Sequence, residues 1–180
     1  MPRIHPYAYV VDTFLAVASK REVRAYSQLA LPADAMQRIL DAGRVAGSSR
    51  NRQPWRFVVV EDPVLRERLA AQVYVPSNVL GAALVVTIAV RGRGPTAFDA
   101  GRAAQNMMLA AWNDGIGSCP NGVADPDQAA RLLALDEEER PVTVLTFGFP
   151  LQARDPARRS PQEWIDRADR KPLEDVLERR

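Results

Sequence analysis

The residues best suited to chemistry lie in one short segment between two strongly apolar stretches, Ala46 to Phe57. Within it Ser48, Ser49, Asn51 and Gln53 place hydroxyl and amide groups at close spacing. These groups are hydrogen-bond donors and acceptors, and together they can read the edge of a heteroaromatic ring or hold a phosphate. We call residues 48–53 the polar loop and predict that it binds a flat polar ligand. The alternative is a plain connection from a helix to a strand.

Side chains for conventional acid-base, nucleophilic or metal chemistry are scarce. The one histidine, His5, lies in a Pro- and Tyr-rich N-terminal segment that favours a frayed surface position. A transition-metal site needs several ligands, and a Ser-His-Asp triad would depend on His5 alone, so neither is expected. Cys119 has no second histidine to activate it, which favours a small buried residue over a nucleophile.

A second candidate site is the basic trio of Lys20, Arg21 and Arg24. Spacings of three and four residues would let these side chains converge on one anion if the segment were helical, although a solvated cationic face is the alternative. Neither of the glycine-rich phosphate-binding templates occurs in the chain. A protein poor in acid-base groups but furnished with a ligand-binding loop is expected to take its chemistry from an organic cofactor.

Size and composition indicate one compact domain. The 180 residues are 47% hydrophobic, and 24 basic residues nearly balance 22 acidic ones, so nucleic-acid binding is not expected. A single cysteine excludes an internal disulfide and suits a reducing cytosol. No signal-like stretch follows a basic start, and the longest apolar run, Ala82 to Val90, is too short to span a bilayer. We expect a soluble cytoplasmic protein.

Apolar periodicity and turn residues predict helices alternating with strands, in an α+β or α/β domain without internal repeats. The final residues, 151–180, are charge-rich and Pro-punctuated, as in a surface arm. The predicted helices are Val10 to Ala18, Pro32 to Gly47, Val64 to Gln72, Phe98 to Asn113 and one that Asp125 caps; the predicted strands are Arg56 to Val60, Leu84 to Val90 and Val142 to Phe147.

Four segments, in order along the chain, resemble motifs of the FMN-dependent nitroreductases, and together they cover most of the sequence. Two of them contain the basic trio and the polar loop, and a third contains the long helix with the turn after it. The segments are K-R-E-V-R-A-Y (Lys20–Tyr26), S-S-R-N-R-Q-P-W (Ser48–Trp55), D-A-G-R-A-A-Q-N-M-M-L-A-A with G-I-G-S-C (Asp99–Cys119) and L-T-F-G-F-P (Leu145–Pro150).

The resemblance implies an α+β nitroreductase-like fold, with a central mixed or antiparallel sheet surrounded by helices. Residues 1–180 would form a single FMN-binding domain within an interlocked homodimer, and the arm 151–180 would wrap the partner subunit. The implied enzyme is an oxidoreductase in which NADH or NADPH reduces FMN and a small-molecule acceptor, such as a nitroaromatic or a quinone, then takes the electrons by a ping-pong mechanism.

The resemblance also implies roles for individual residues. FMN would be held by a basic end, by the polar loop of the partner chain, and by backbone beside the isoalloxazine where an N–H can reach N5. The basic end comprises Lys20, Arg21, Arg24 and Arg170, with Arg24 also near the pyrimidine; the loop contributes Ser48, Ser49, Asn51 and Gln53; the backbone positions are Pro120, Asn121 and Gly122.

The chain departs from the family pattern at several positions. Glu22 replaces the usual serine of the first motif, so its carboxylate must turn away or pair with an arginine. Gly47 replaces a proline. The region between Gln72 and Asp99 is short, and Asn78 is the one candidate there for the family's pyrimidine contacts. These departures keep open a specialised flavoenzyme for dehalogenation, flavin fragmentation or azoline oxidation, and a flavin-binding protein without turnover.

Overall fold

The computed structural model describes residues 12–180, in which helices cover both faces of one antiparallel sheet. His5 and the first two residues of the first predicted helix lie outside the described residues. The helices are α1 (Thr13–Ser19), α2 (Ala33–Arg44), α3 (Pro63–Ala70), α4 (Pro76–Leu80), α5 (Thr96–Asn113), α6 (Pro126–Leu132) and α7 (Pro161–Asp166); the strands are β1 (Trp55–Val59), β2 (Leu84–Arg91), β3 (Gly117–Asn121) and β4 (Glu139–Gly148).

The sheet has the order β1-β2-β4-β3, and each neighbouring pair is antiparallel. Successive side chains of a strand point to opposite faces. In β2 Val86 and Ile88 therefore pack with α2 and α5, whereas Val85 packs in the cluster that includes α3, α4 and α6. Because β2 is buried on both faces, its sequence is an almost unbroken apolar run. The predicted α+β class is confirmed.

The prediction omits two elements, β3 and α4. The sequence of β3, G-S-C-P-N, has neither alternation nor β-branched residues, and it was expected to be the turn after α5. Pairing with β4 from Gly117 to Asn121 nevertheless makes it a strand, on an edge of the sheet where a proline is tolerated. Helix α4 has only five residues, too few for an apolar period to be visible.

The C-terminal segment begins by packing on its own chain. Helix α7 contacts α1, and Ser160 and Glu163 close its first turn with a reciprocal capping box. The indole of Trp164 donates to the carbonyl of Pro156 at 2.8 Å. The last ten residues, 171–180, are exposed throughout. No helix within residues 12–180 has the length and apolar character needed to cross a bilayer.

Candidate functional site

The segment Lys20–Tyr26, here called the basic segment, is extended because α1 ends at Ser19. Its position just beyond a helix C-terminus is as predicted. Side chains alternate along an extended chain, so Lys20 and Arg24 share one side while Arg21 points to the other. The helical spacing argument for convergence of all three side chains is therefore wrong.

Two glycines let the basic segment lie directly against the sheet. A Cβ on Gly117 would stand 2.7 Å from Val23, and one on Gly148 would stand 2.8 Å from the ring of Tyr26. Both distances are too short for a real side chain. The N–H of Val23 donates to the carbonyl of Ser118 at 2.9 Å, which ties the segment to β3. Gly117, in the third motif, and Gly148, in the fourth, thus allow the first motif and its basic residues to lie against the sheet.

Lys20 is already neutralised within its own segment. Its Nζ lies 2.7 Å from the Glu22 carboxylate and 3.5 Å from the sulfur of Met108 in α5. The Lys20 side chain is 6% exposed, whereas that of Glu22 is 38% exposed. Glu22 thus pairs with a lysine, where pairing with an arginine was the expectation, and its carboxylate remains beside the predicted phosphate site.

Arg21 turns back towards α1 and α7. Its Nη1 donates to the carbonyls of Ala18 and Lys20 at 2.7 and 2.9 Å, and its Nη2 donates to the carbonyl of Trp164 at 2.7 Å. Burial, and next the positive charge of Arg170, lower the pKa of Arg21, although an arginine stays charged at neutral pH. The charge of Arg170 therefore acts on the basic segment, and its contact with the FMN phosphate stays a prediction.

Arg24 is the exposed cation of this group, and no carboxylate within residues 12–180 pairs with it. Its positive charge acts on the thiol of Cys119 in β3. Burial, and then the charge of Glu22, raise the pKa of that thiol, so little thiolate forms at neutral pH. Cys119 is 2% exposed, which confirms the small buried residue that the sequence favoured.

At the end of β3, the side chain of Asn121 belongs to a buried hydrogen-bond network. Its amide nitrogen lies 3.1 Å from the Cys119 carbonyl and 2.9 Å from that of Val144, and its oxygen accepts from Asn78 at 2.8 Å. Asn78 is itself buried. Both asparagines are thus occupied in holding β3, β4 and α4 together, so the amide of Asn121 is not available to a ligand.

The neighbouring residues Pro120 and Gly122 are exposed. Pro120 has no N–H to donate. Gly122 follows the last paired residue of β3, and its carbonyl accepts from the N–H of Tyr74 at 3.3 Å. A Cβ on Gly122 would lie 3.0 Å from the ring of Tyr74, which is 74% exposed. An open backbone N–H position and a free aromatic ring therefore lie side by side.

The polar loop is held in a strained conformation. Arg50, Asn51 and Gln53 all have positive φ, at 53°, 55° and 48°. Two bonds fix the loop: the Ser48 hydroxyl accepts from the N–H of Gln53 at 2.8 Å, and the N–H of Ser49 donates to the Asp99 carboxylate at 3.2 Å. Within residues 12–180 the Ser49 hydroxyl and the Asn51 amide have no partner, so both are free for a ligand.

The basic segment and the polar loop do not meet within one chain. The loop leads into β1 at one edge of the sheet, and the basic segment bridges to β3 at the opposite edge. Along α5 the loop contacts Asp99 and the basic segment contacts Met108. Nine residues of helix separate these contacts, a rise of about 13 Å.

Comparison with known proteins decides the family. A family model described as the Nitroreductase family matches residues 17–89 and 77–149, which is most of the chain. The chain belongs to the Nitroreductase family. A nitroreductase from Desulfovibrio desulfuricans, so named provisionally and solved in complex with FMN, is 29% identical with a TM-score of 0.78, and the alignment covers 95% of this chain and 98% of that one.

Two curated relatives agree with this membership. A protein from Methanothermobacter thermautotrophicus, provisionally named NADH dehydrogenase/NAD(P)H nitroreductase, is 26% identical over 151 residues, which are 79% of each chain. An NADH dehydrogenase from Thermus thermophilus is 24% identical and aligns with 87% of this chain and 95% of its own. The predictions of a nitroreductase fold and of an oxidoreductase in an FMN-dependent family are confirmed.

Sequence reasoning missed three residues around this site. Trp164 lies beneath the guanidinium of Arg21, 5.4 Å from its ring centre, and closes one side of the basic segment. Asp99 fixes the polar loop, and Tyr74 lies beside Gly122. All three are far in sequence from the groups they contact, so periodicity and spacing carry no signal for them. Within residues 12–180 no cluster of His, Cys, Asp or Glu could hold a metal ion.

Proposed function

We propose that this Nitroreductase-family protein binds FMN between the subunits of a cytoplasmic homodimer and uses NADH or NADPH to reduce nitroaromatic or quinone acceptors by a ping-pong mechanism. One observation carries the shared site: the two sets of polar groups that resemble FMN-binding motifs lie at opposite edges of the sheet. A single chain cannot close both around one flavin, whereas two chains in a symmetric dimer can.

The basic segment suits the phosphate end of FMN. Arg24 and Arg170 are exposed cations with N–H groups available, and Arg21 adds positive charge behind them. Guanidinium groups bind phosphate oxygens through paired, charge-assisted hydrogen bonds. Because the Nη atoms of Arg21 are engaged with backbone carbonyls, we assign direct phosphate contact to Arg24 and Arg170.

The end of β3 suits the flavin ring. Pro120 leaves the approach open and Gly122 offers the backbone N–H that would face N5, while the buried amide of Asn121 holds this backbone in place. The free groups of the partner's polar loop, Ser49 and Asn51, would complete the pocket. Tyr74, exposed beside Gly122, would lie against a planar acceptor.

FMN, when bound, accepts a hydride from the nicotinamide donor and passes electrons to the acceptor. The chain's own contribution is to bind and orient the flavin and to place positive charge near the pyrimidine, a role for Arg24. No side-chain base is required by this scheme. A proposed site built from arginines, backbone groups and a tyrosine is consistent with a reaction that needs no such base.

Three surfaces support a dimer. Strand β1 pairs on one side only, with β2, and α5 exposes Phe98 together with Gly101 on its outer face. The C-terminal residues Leu173 and Val176 are also exposed. We propose that the α5 faces of two subunits meet and that the arm beyond α7 reaches across to the other subunit, which would bury these apolar groups.

The colour of the purified protein tests the cofactor directly. We expect a yellow protein, or one that gains flavin absorbance with FMN, whose colour is lost when NADH or NADPH is added without oxygen and returns with a nitroaromatic or quinone. A protein that takes up no FMN refutes the flavin proposal. Persistent colour with both nucleotides would favour flavin binding without turnover.

Reductive dehalogenation is the second candidate. A segment of 50 residues, 28% of this chain, is 36% identical to 22% of an iodotyrosine deiodinase from Haliscomenobacter hydrossis. In that reaction two electrons and a proton replace a carbon–halogen bond by a carbon–hydrogen bond and release halide. Halide release from a halophenol under anaerobic reduction, without turnover of nitroaromatics, would favour this activity over the first.

A further inference from the structure

Three arginines line a second cavity, of about 430 Å³, outside the basic segment. Arg52 lies within the polar loop, and Arg91 and Arg93 lie at the end of β2 and just beyond it. The cavity volume is within the range of pockets that hold small organic ligands. None of these arginines belongs to the FMN-binding residues proposed above.

The charge in this cavity is not balanced by the protein. Arg91 and Arg93 have no side-chain partner within residues 12–180, while Arg52 donates to the Arg93 carbonyl at 3.0 Å, which fixes its guanidinium at the rim. The two carboxylates in the lining are Asp99 and Glu138. Asp99 is buried and accepts from the N–H of Ser49. Three guanidinium groups against these two carboxylates leave one positive charge in excess.

We propose that this cavity binds a phosphate group of the nicotinamide nucleotide donor. Planar guanidinium groups match phosphate oxygens in pairs, and Arg91 and Arg93 are without side-chain partners within residues 12–180, so both are available for such contacts. The cavity also adjoins the polar loop, which we place over the flavin of the partner subunit, so a donor whose nicotinamide lies on that flavin could extend its phosphates here. This placement rests on the proposed function.

Substitution of Arg91 and Arg93 by serine, singly and together, tests the site. The matched control is Arg68→Ser, which removes an exposed arginine from α3, away from both sites. In a binding measurement that needs no flavin turnover, calorimetry with adenosine 2′,5′-bisphosphate at low salt should show at least a tenfold loss of affinity for the double variant, about the contribution of one charge-assisted contact. Equal affinity in the wild type and the double variant overturns the proposal.

The donor is identified by anaerobic loss of flavin colour at varied NADH and NADPH. A rise in the half-saturating concentration of NADPH alone assigns the cavity to the 2′-phosphate, and a similar rise for both donors assigns it to the pyrophosphate. Unchanged values for both donors overturn the proposal, even if inorganic phosphate binds. A wild type without flavin, or with flavin that neither donor reduces, instead refutes the proposed function, and the bisphosphate measurement still decides whether the cavity binds phosphate.

Discussion

Glu22 sets the charge at the proposed phosphate end, because its carboxylate pairs with Lys20 at 2.7 Å and faces the same side as Arg24. Replacing it by serine, the residue usual in the resembling motif, removes a negative charge and frees the lysine. We expect Glu22→Ser to tighten FMN binding about two- to fivefold, the effect of one partly exposed ion pair. Quenching of FMN fluorescence on titration with protein measures the change.

A glutamine at the same position separates charge from shape. Glu22→Gln keeps the size of the side chain and should tighten FMN binding in the same direction. Weaker binding in both variants would show that the carboxylate itself organises the site, and would remove the phosphate from its vicinity. The exposed Arg68→Ser variant again serves as the control for unrelated changes of surface charge.

Tyr26 anchors the basic segment to the sheet. Its hydroxyl donates to the Val23 carbonyl at 2.6 Å and lies 3.0 Å from the hydroxyl of Thr146 in β4. We expect Tyr26→Phe to lower the free energy of unfolding by about 1 to 3 kcal/mol, because buried partners lose a hydrogen bond. Urea unfolding at neutral pH measures the loss, and unchanged stability would show that the ring alone anchors the segment.

The same residue makes stability depend on pH. Burial raises the pKa of the Tyr26 hydroxyl above its ordinary value, so the folded state holds this proton more tightly than the unfolded state does. The resulting stabilisation is complete below pH about 10, the unfolded value, and is lost as the pH rises through the folded value. The wild type should therefore lose more unfolding free energy than Tyr26→Phe between pH 9 and pH 11, values chosen around that ordinary pKa of about 10. If the unfolding free energies of the two proteins fall equally with pH, this assignment is contradicted. Cys119 is present in both proteins, so its ionisation does not account for a difference between them.

The polar loop stores backbone strain at Arg50, whose φ of 53° and ψ of 27° lie in the left-handed region. A glycine adopts this region freely, whereas a β-branched residue does not. We expect Arg50→Gly to leave the free energy of unfolding nearly unchanged and Arg50→Val to lower it by about 1 kcal/mol or more. The arginine is exposed, so the two variants differ chiefly in backbone freedom. Equal stabilities in urea would show that the loop relaxes without cost.

The elements that the sequence could predict are those in which burial leaves a pattern. The sequence shows apolar runs in β2 and β4 and a sustained helical periodicity of apolar residues in α5. These patterns exist because the three elements are buried within the fold. Strand β3 is invisible because its backbone pairing with β4 creates it, and its residues carry no pattern of their own.

The sequence indicates which side chains have suitable chemistry for a site, but it does not indicate how they are oriented. The polar loop and the basic residues could be named, since the types of Ser49, Asn51 and Arg24 limit what they bind. The sequence does not reveal that Asn121 turns inward to Asn78, or that Arg21 turns back to Trp164. Those directions depend on long-range contacts that only the folded chain establishes.

As a whole, the molecule carries its two proposed half-sites at opposite edges of the sheet. The basic segment belongs to the β3 edge and the polar loop to the β1 edge, with the length of α5 between them. In a symmetric dimer, each flavin would therefore take its phosphate contacts from one subunit and its loop contacts from the other. This arrangement predicts that defects in the two half-sites can complement each other.

Complementation between two variants tests the shared site. Arg24→Ala should damage the basic half and Asn51→Ala the loop half, so each homodimer loses both sites. In a heterodimer isolated with two different affinity tags, one site receives both defects and the other receives none. We expect one tightly bound FMN per heterodimer, measured by flavin absorbance against protein concentration, and almost none in either homodimer. A site built from one chain would instead leave a defect in every subunit, so a heterodimer without tightly bound FMN would contradict the shared arrangement.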